Sequence, residues 1–532
     1  QKLVATLLQL KEAEFSETLP QYLLNHFKFI SKKEALHQVH YPSTQNLLSR
    51  AQMRLKFEEF FYMQLQLILK NRQRKQKIKG YVFPEVGSVF KDFFDNHLPF
   101  TLTEAQKRVV KEIRNDLGTG RQMNRLLQGD VGSGKTIVAL LAMLIAIDNG
   151  FQSTLVAPTE ILAQQHYQSL DALLEGTGVQ CALLTGSSTK KERVVLHEAL
   201  ESGELSILVG THAVFEEKVQ FQNLGIAIID EQHRFGVAQR AKLWQKNDIP
   251  PHVLVMTATP IPRTLAMSIY GDLDISIIDT LPPGRKPIKT LHRFDNNRLA
   301  VFAFVKEQIN LGRQIYIVYP LIQESESLDY KDLMDGYESI SRSFPPPKNQ
   351  ISIVHGKMKP EDKAYEMERF VRGKTQIMVA TTVIEVGVNV PNASVMIIES
   401  AERFGLSQLH QLRGRVGRGS EQSYCVLMSG SKLSEEGKTR LQTMVKSNDG
   451  FEIAEVDLRL RGPGNLMGTQ QSGVLQLKIA DVIKDTELLK AARDTAQQII
   501  KKDAAFDNRE HQVIKRTLSA LKHDSNIWNF IS

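Results

Sequence analysis

A glycine-rich run that ends in a lysine and a hydroxyl is the part of this sequence best suited to chemistry. Residues 129–136 read Gly-Asp-Val-Gly-Ser-Gly-Lys-Thr and fit the pattern G-x-x-x-x-G-K-[ST] at every fixed position. Glycines let main-chain amides wrap phosphates, the Lys135 ammonium neutralises β- and γ-phosphate charge, and the Thr136 hydroxyl can hold Mg²⁺. A chance glycine loop is the alternative. The predicted nucleotide-binding residues are Gly129, Asp130, Gly132, Ser133, Gly134, Lys135 and Thr136.

A second reactive pattern is a pair of adjacent carboxylates at the end of an apolar run. Asp230 and Glu231 directly follow Ile226–Ile229, and ligands of open α/β sheets bind where strands end. We expect Asp230 to hold Mg²⁺ and Glu231 to polarise the water that attacks a γ-phosphate, while His233 reports the state of the nucleotide. A helix cap is the alternative for a lone Asp-Glu pair. The P-loop upstream makes the catalytic interpretation the stronger one.

These groups need strands to carry them, and short apolar runs supply the candidates. Runs rich in β-branched residues alternate with helical stretches, first up to about residue 283 and again after the turn-forming segment Leu281–Arg285. Such alternation predicts buried parallel strands, and the interruption predicts two similar α/β lobes. The predicted strands are Thr154–Ala157, Ile207–Val209, Ile226–Ile229 and Val253–Met256, followed by Ile315–Val318, Ile351–Val354, Ile377–Ala380, Val395–Ile398 and Tyr424–Leu427.

Two further segments stand out along the chain. Residues 335–350, which contain Pro345–Pro347, are predicted to form a surface loop inserted in the second lobe. The basic segment Lys70–Lys77 is either a solvated helix end or a DNA-contacting patch, and charge runs are more often solvated. The predicted regions are a helical connector at 1–95, the first lobe at 96–283, the second lobe at 284–430 and a helical region at 431–532.

Composition excludes several classes of protein. The 532 residues include two cysteines, Cys181 and Cys425, which lie far apart and lack zinc-ligand spacing. Neither a disulfide framework nor a cysteine metal site is therefore expected. The apolar runs are too short to span a bilayer and no signal peptide is recognisable, so we expect a cytoplasmic protein without a membrane partner. The net charge of +8 is compatible with a polyanionic partner but is small for this length.

With these motifs in place, the chain resembles the superfamily 2 helicases and translocases, and further segments occur in that family's order. Phe100–Gln106 is similar to the segment that reads adenine, which implies that Phe100 and Gln106 contact the base. Other segments resemble those that hold a nucleic-acid backbone or link hydrolysis to strand movement. Hydroxyls and main-chain amides suit phosphate contacts because they position a duplex without reading its sequence. The residues implied are Pro158, Thr159, Thr185, Gly186, Thr211, Thr257 and Thr259.

Signatures of the second lobe complete this resemblance. The run 411–418 reads Gln-Leu-Arg-Gly-Arg-Val-Gly-Arg and resembles the arginine-finger motif. The resemblance implies that Gln411, Arg415 and Arg418 act at the γ-phosphate when the lobes close. Basic residues on a solvated helix are the alternative, and they do not account for the Gly-Arg-x-Gly-Arg spacing. The other implied residues are Gly387 at the nucleotide and His355, Thr381 and Glu385 for DNA contact or coupling.

The C-terminal part narrows the resemblance. Residues 448–473 are similar to the translocation motif that bacterial RecG shares with the transcription–repair coupling factor, in which a helical hairpin and loop convert lobe closure into movement along duplex DNA. Coupling roles are thereby implied for Arg459, Arg461 and Gln470, on a loop that Gly462–Gly464 would shape. The tracts 230–239 and 394–419 favour RecG. No closely spaced strand pattern precedes residue 95, so the RecG wedge domain is expected to be absent from this sequence.

The resemblance also implies a fold and a function. The expected fold is α/β, with two tandem RecA-like parallel-sheet lobes flanked by N-terminal helices and a C-terminal helical-hairpin region. The expected activity is ATP- and Mg²⁺-dependent translocation on double-stranded DNA that remodels branched DNA, namely stalled replication forks and Holliday junctions, in recombination and repair. We expect a monomer, with single-strand DNA-binding protein as a further candidate partner.

Two alternative functions stay open. One is a transcription–repair coupling translocase. The other is a nucleotide-gated DNA-binding scaffold without turnover, and the intact set of catalytic residues argues against it, because a motor without turnover has no chemical need of them. That set consists of Lys135, Asp230, Glu231, Arg415 and Arg418.

Overall fold

The computed structural model describes most of the chain and divides it into two compact units. The described residues are 15–231, 249–257, 273–282, 286–320, 326–347, 349–381, 390–417, 419, 421–466 and 477–523. Those within Ile78–Ile261 and Asp274–Asp457 form one unit, which contains both predicted lobes except for residues 262–273. Those within Gln1–Lys77, Pro262–Leu273 and Leu458–Ser532 form the other.

The first lobe is built on a parallel sheet. Among the described residues its strands lie in the order β3-β4-β2-β5-β6-β1-β7. Strands β1 and β5 precede the P-loop and the carboxylate pair, and every residue of both is buried. Only β6 lies between these two strands, so both motifs lie close together at the carboxyl-terminal end of one sheet. The strands are β1 (Asn124–Gly129), β2 (Gln152–Val156), β3 (Cys181–Leu184), β4 (Ile207–Gly210), β5 (Leu224–Asp230), β6 (His252–Thr257) and β7 (Asp274–Ile278).

The second lobe repeats this plan. Its described strands are also parallel and lie in the order β10-β11-β9-β12-β13-β8. The predicted α/β fold with two parallel-sheet lobes is confirmed. The strands are β8 (Lys289–Phe294), β9 (Gln314–Tyr319), β10 (Ile351–Val354), β11 (Ile377–Thr381), β12 (Ala393–Ile398) and β13 (Tyr424–Ser429).

Every strand predicted from the sequence is present, and four others were missed. The missed strands β3 and β7 are the edges of the first sheet, and β8 is an edge of the second. These edge strands are partly exposed, so their sequences lack the continuous apolar run of a central strand. The fourth, β1, is central, but its polar residues Asn124, Arg125 and Gln128 are buried through hydrogen bonds or packing and break the apolar pattern.

Helices flank the two sheets and make up the described part of the second unit. They are α1 (Gln21–Phe27), α2 (Lys32–His40), α3 (Gln45–Lys77), α4 (Ser88–Asp92), α5 (Glu104–Leu117), α6 (Lys135–Asp148), α7 (Glu160–Leu174), α8 (Lys190–Ser202), α9 (Arg298–Asn310), α10 (Glu326–Ser343), α11 (Pro360–Val371), α12 (Leu406–Arg413), α13 (Glu435–Lys446), α14 (Gly450–Leu466), α15 (Thr486–Lys502) and α16 (Gln512–His523).

Helix α6 carries the P-loop on its N-terminus and is held firmly in the first lobe. Residues Ile137 through Ala146 are all buried, as the apolar run predicts. At its C-terminal end, the Asp148 carboxylate accepts hydrogen bonds from the amides of Gly87, Val89 and Phe90, at 2.8–3.1 Å. Burial along the helix and this cap at its end fix the direction in which the P-loop points.

The predicted surface loop at 335–350 is wrong over most of its length. Helix α10 runs through Ser343, and Ile340 and Phe344 lie in the hydrophobic core of the second lobe. Gly336 suggests a turn in the sequence, but in the helix it leaves room for the Tyr319 ring, which lies where a Cβ would be. Tertiary packing therefore outweighs the local turn signal.

The helical unit is stabilised by buried ion pairs. The fully buried Arg54 guanidinium donates to the Glu17 carboxylate at 2.5 Å and to the Glu58 carboxylate at 2.6 Å. The Glu59 carboxylate accepts from the amides of residues 478–480, which ties α3 to the C-terminal part of the chain. The predicted N-terminal and C-terminal helices are thus present.

The predicted loop around Gly462–Gly464 is wrong, because this segment lies in helix α14. It extends to Leu466, so Arg459, Arg461 and the Gly462–Gly464 segment are all helical rather than part of a turn. Gln470 lies outside the described residues. The predicted region boundaries stay predictions, although Phe83 and Phe93, from the predicted connector, pack in the core of the first lobe.

Candidate nucleotide and nucleic-acid site

The P-loop adopts the backbone that its glycines allow. Gly132 and Gly134 have φ angles of 75° and 84°, in the left-handed region that glycine enters without strain. The Lys135 ammonium donates to the carbonyl oxygens of Gly129 at 2.8 Å and of Asp130 at 3.0 Å. The Ser133 hydroxyl is buried and has no hydrogen-bond partner among the described residues. A cradle with a fixed ammonium and an unused hydroxyl fits a phosphate chain.

Gln106 lies beside this loop and is fixed by both ends of its amide. Its oxygen accepts from the amide of Thr103 at 2.8 Å, and its nitrogen donates to the carbonyl of Ser133 at 2.9 Å. The first bond closes the N-terminal cap of α5. The amide therefore joins the cap to the P-loop, and its role in reading adenine stays a prediction.

The carboxylate pair ends β5 as predicted, and its geometry is constrained. Asp230 Oδ1 accepts from the amide of Glu231 at 3.1 Å, and Asp230 Oδ2 lies 2.8 Å from His166 Nε2. Burial raises the pKa of Asp230, but the hydrogen bond and charge of His166, together with the nearby Lys135, lower it by more. The net pKa therefore lies below the ordinary aspartate value, and the carboxyl stays ionised. Glu231 has a φ of 53°, a strained value for a non-glycine residue and one typical of functional sites.

Groups from both lobes line one cavity. Its volume is about 1020 Å³, large enough for a nucleotide. Lys135, Thr136, Asp230 and Glu231 reach it from the first lobe. The second-lobe residues that line it include Gln411 and Arg415. The structure thus brings together the predicted P-loop, carboxylate pair and arginine, with Phe100 and Gln106 on the same wall. Arg418 lies outside the described residues.

Sequence reasoning missed two histidines, of which His166 lines this cavity and His410 directly precedes the lining residue Gln411. His166 comes from α7 and contacts Asp230, and His410 comes from α12 and contacts Asp130, with 2.6 Å between His410 Nε2 and Asp130 Oδ1. Burial raises the pKa of Asp130, but the hydrogen bond and charge of His410, the amide of Val131 and the charge of Lys135 together outweigh it, so the pKa lies below the ordinary value. Neither histidine belongs to a motif that the sequence displays, although His410 directly precedes Gln411.

The side chains at this site offer the oxygen ligands that a magnesium ion prefers. Thr136 offers a hydroxyl and Asp230 an ionised carboxylate, and hard cations prefer such oxygen ligands. Mg²⁺ at nucleotide sites is held by one or two protein oxygens together with phosphates and water. No group of three or more histidine, cysteine or acidic side chains that could hold a metal ion is found among the described residues.

Three of the six described first-lobe residues predicted for DNA contact or coupling are buried. Thr185, Thr211 and Thr257 are between 1% and 5% exposed, so their side chains do not face a surface as they stand. The surface beside Thr185 consists of Gly186 and Ser187, and the Ser187 hydroxyl donates to the Glu160 carboxylate at 3.0 Å. Thr159 caps α7, and Pro158 lines the cavity. Their contact with DNA stays a prediction.

Two second-lobe residues predicted for DNA contact or coupling lie at the carboxyl-terminal ends of their strands. His355 directly follows β10 and Thr381 ends β11, which pairs with β10. Burial and the charges of Lys363 and Lys357 lower the pKa of His355. The predicted residues His233, Thr259, Glu385 and Gly387 lie outside the described residues.

Family models match most of the chain in the order of these elements. A DEAD/DEAH box helicase model matches residues 103–268, and a helicase conserved C-terminal domain model matches 300–420. A model of domain 3, C-terminal, of the ATP-dependent DNA helicase RecG matches 447–532.

Full-length relatives decide the family. RecG of Bacillus subtilis is 46% identical over 94% of this chain and 73% of its own length. The chain belongs to the RecG family of ATP-dependent DNA helicases. RecG of Synechocystis is 49% identical over 92% of this chain. This RecG-family chain spans 59% of the length of that relative.

A solved RecG structure supports the same assignment. It is described as RecG bound to a three-way DNA junction, and it matches with a TM-score of 0.70 and 42% identity over 90% of this chain and 62% of its own. The helicase MrfA bound to DNA, at 16% identity and a TM-score of 0.52, shares the fold alone. No helix among the described residues of this RecG-family chain is long and apolar enough to cross a membrane.

Proposed function

We propose that this chain is an ATP-hydrolysing motor that translocates on double-stranded DNA and remodels branched DNA in recombination and repair. The observation that carries this proposal is the single cavity lined by Lys135, by the Asp230–Glu231 pair and by Arg415. These groups supply charge neutralisation, a general base and a transition-state cation for γ-phosphate transfer to water. A nucleotide-gated scaffold without turnover needs the first of these alone.

Each group has a distinct task in hydrolysis. Main-chain amides of the P-loop hold the phosphates, and the Lys135 ammonium balances their charge. Glu231 accepts the proton of the attacking water, and Arg415, together with Arg418, stabilises the charge that develops on the γ-phosphate. Thr136 and Asp230 would hold Mg²⁺, which shields phosphate charge and orients the nucleotide.

Contact with DNA is proposed to be mainly to phosphates. The predicted contact residues carry hydroxyls and main-chain amides, and such groups position a duplex without reading its bases. The RecG relative bound to a three-way junction supports branched DNA as the substrate class. Affinity should then fall steeply with salt and change little between two unrelated duplex sequences. A flat salt response in binding titrations on both duplexes would contradict phosphate-based binding.

The decisive experiment measures ATP hydrolysis by the full chain with no DNA, with linear duplex and with a three-way junction. We expect hydrolysis that DNA stimulates. Lys135→Ala should lose turnover while keeping DNA affinity within a few-fold of the parent, and Lys490→Ala, at an exposed position on α15, is the matched control. Hydrolysis by Lys135→Ala at the parent rate, or none by the parent with any DNA, would refute the proposal.

Coupling of hydrolysis to movement is proposed to involve α14. Arg459 and Arg461 lie on this helix, which belongs to the translocation motif by resemblance. Arg461→Ala should keep much of the DNA-stimulated ATPase but displace the third strand of a triplex poorly, because that assay requires translocation alone. Displacement per ATP equal to that of the parent would exclude Arg461 from coupling.

A further inference from the structure

The C-terminal turn of α12 touches the P-loop at two points. His410 hydrogen bonds to Asp130, at 2.6 Å between Nε2 and Oδ1. Gly414 lies so close to Val131 that a Cβ there would be 2.7–2.9 Å from the side-chain carbons of Val131. Positions four apart share one face of a helical turn. One face of this turn therefore packs against the P-loop. Gln411 and Arg415, which directly follow His410 and Gly414 in the sequence, line the cavity.

The surroundings of His410 fix which of its nitrogens carries the hydrogen. Arg413 Nη2 lies 3.0 Å from His410 Nδ1, and a guanidinium can only donate. His410 Nδ1 must therefore accept, which leaves the hydrogen on Nε2, where it is donated to the Asp130 carboxylate. The bond to the P-loop is thus directional and set from within the second lobe.

Arg413 is itself anchored away from the cavity. It is 2% exposed, and its Nη1 donates to the carbonyl oxygens of Met444 at 3.0 Å and Ser447 at 2.8 Å. These carbonyls lie at the C-terminal end of α13, where the helix dipole favours a cation. A continuous chain of hydrogen bonds therefore runs from the end of α13 through Arg413 and His410 to Asp130.

Asp130 passes this contact on to the catalytic lysine. Its side chain binds His410 and also accepts from the amide of Val131 at 2.6 Å. Its carbonyl oxygen accepts from the Lys135 ammonium at 3.0 Å and from the amide of Ser133 at 3.1 Å. One residue thus joins the second-lobe turn to the P-loop backbone that surrounds the phosphates.

We propose that His410 is a positioning residue for hydrolysis. Together with Gly414 it sets the distance between the P-loop and Arg415, so that the arginine is placed for the transition state only while the second lobe is seated on Asp130. The proposal rests on the proposed ATPase function. Because a misplacement of about 1 Å can cost about 10²-fold in rate, loss of this contact should lower kcat and leave nucleotide affinity nearly unchanged.

Steady-state ATPase kinetics of the full chain with a three-way junction, and titrations with a fluorescent ATP analogue, test this. His410→Leu should lower kcat by about 10- to 100-fold with affinity within about threefold. His410→Gln, which keeps a donor, should recover much of the rate. Gly414→Ala should also lower kcat, whereas Gly430→Ala, with open space around its Cβ position, is the matched control. A change in affinity alone, or Gln no better than Leu, would overturn the proposal.

A double-mutant cycle separates positioning from a general loss of structure. If His410 acts through Arg415, adding His410→Leu to Arg415→Ala should lower kcat no further. A full additional loss would show that His410 acts on folding or elsewhere.

Hydrogen exchange of the P-loop peptide distinguishes failure of this inference from failure of the proposed function. The His410 contact predicts faster exchange of residues 124–134 in His410→Leu than in the parent. This comparison needs no turnover, so it decides the contact even if the parent chain hydrolyses no ATP. Unchanged exchange would overturn the inference, whatever the activity.

Discussion

Two histidine–aspartate pairs lie at or beside the nucleotide cavity, and they differ in which lobe supplies each partner: His166 and Asp230 line the cavity, whereas His410 and Asp130 directly precede the lining residues Gln411 and Val131. His166 and Asp230 both belong to the first lobe, on α7 and β5, and are 2.8 Å apart. His410 belongs to the second lobe, and Asp130 to the P-loop of the first, 2.6 Å apart. In each pair burial raises the pKa of the aspartate, and the histidine, a main-chain amide and the charge of Lys135 together lower it to a net decrease.

The two pairs have similar chemistry, but they depend on different contacts. The first pair is fixed by the packing of one lobe, so the Asp230 carboxylate, which we propose to hold Mg²⁺, is set in place without contact between the lobes. The second pair exists only while the lobes are in contact. The comparison teaches that the Asp230 side of the site is set by packing within one lobe, whereas the placement of Arg415 is proposed to depend on the contact of the second lobe with the P-loop.

The same substitution at the two aspartates should separate the pairs most strongly. Asp230→Asn removes the charge proposed to bind Mg²⁺, and we expect kcat to fall by at least about 10³-fold. Asp130→Asn keeps an oxygen that can accept from His410, and we expect a fall of about tenfold. ATPase assays of both variants under one set of conditions check this, and equal losses would contradict the division of roles.

Removal of the arginine that the second pair is proposed to place comes next in size. Arg415→Ala should spare nucleotide binding and cut kcat by about 10³-fold, as for other arginine fingers. Measuring nucleotide affinity and kcat separately decides the matter. An effect confined to affinity would exclude the finger role and would weaken the functional contrast between the two pairs.

A magnesium titration should then distinguish the two histidines. His166→Leu leaves Asp230 without the partner that orients it, and such losses typically cost about 10- to 100-fold in metal affinity or activity. Excess Mg²⁺ should restore much of its ATPase rate. His410→Leu should show no such rescue, because its contact lies on the P-loop side. Equal responses of both variants to Mg²⁺ would remove the distinction.

His252, a buried histidine with no carboxylate partner among the described residues, sharpens the comparison through the pH dependence of stability. Its Nδ1 accepts from the amide of Met123, and its Nε2 donates to the carbonyl of Tyr81. Burial lowers the pKa of His252 from 6.5 to about 4. Below pH 6.5 the unfolded chain therefore binds a proton at His252, whereas the folded chain binds it only near pH 4. The contribution of neutral His252 to the free energy of unfolding is full above pH 6.5 and falls between pH 6.5 and about pH 4.

The loss of unfolding free energy attributable to His252 should approach about 3 kcal/mol across this window. Urea denaturation of the parent at neutral pH and near pH 4.5, beside His252→Asn, measures it. The variant should be less stable at neutral pH and less sensitive to acidification. Parallel pH profiles for the two proteins would show that other groups carry the acid sensitivity.

The parts of the site that sequence predicted are those that sit at the ends of strands. Lys135, Asp230 and Glu231 could be assigned because a buried parallel strand delivers whatever follows it to one edge of the sheet. Arg415 could be assigned from a motif and its spacing. Eight of the nine predicted strands are central in their sheets and only β10 is an edge, whereas three of the four missed strands, β3, β7 and β8, are edges with mixed burial.

Local turn signals misled at two places where helices continue. Pro345–Pro347 suggested a loop over residues 335–350, yet α10 runs to Ser343 because Ile340 and Phe344 bury their side chains in the core. Gly462–Gly464 suggested a shaped loop, yet α14 includes them. Propensity is a weak term that tertiary context overrides, so glycine and proline alone did not locate the ends of these helices.

The sequence by itself determined the chemistry available to this protein: a lysine among glycines, a carboxylate pair after an apolar run, and arginines at a fixed spacing. Local chain geometry suffices for these, since each motif is contiguous. Only the tertiary structure decided their partners. His166 meets Asp230, and His410 meets Asp130, through contacts between residues 64 and 280 positions apart. Such contacts depend on how helices pack on sheets, and no local pattern in the chain specifies them.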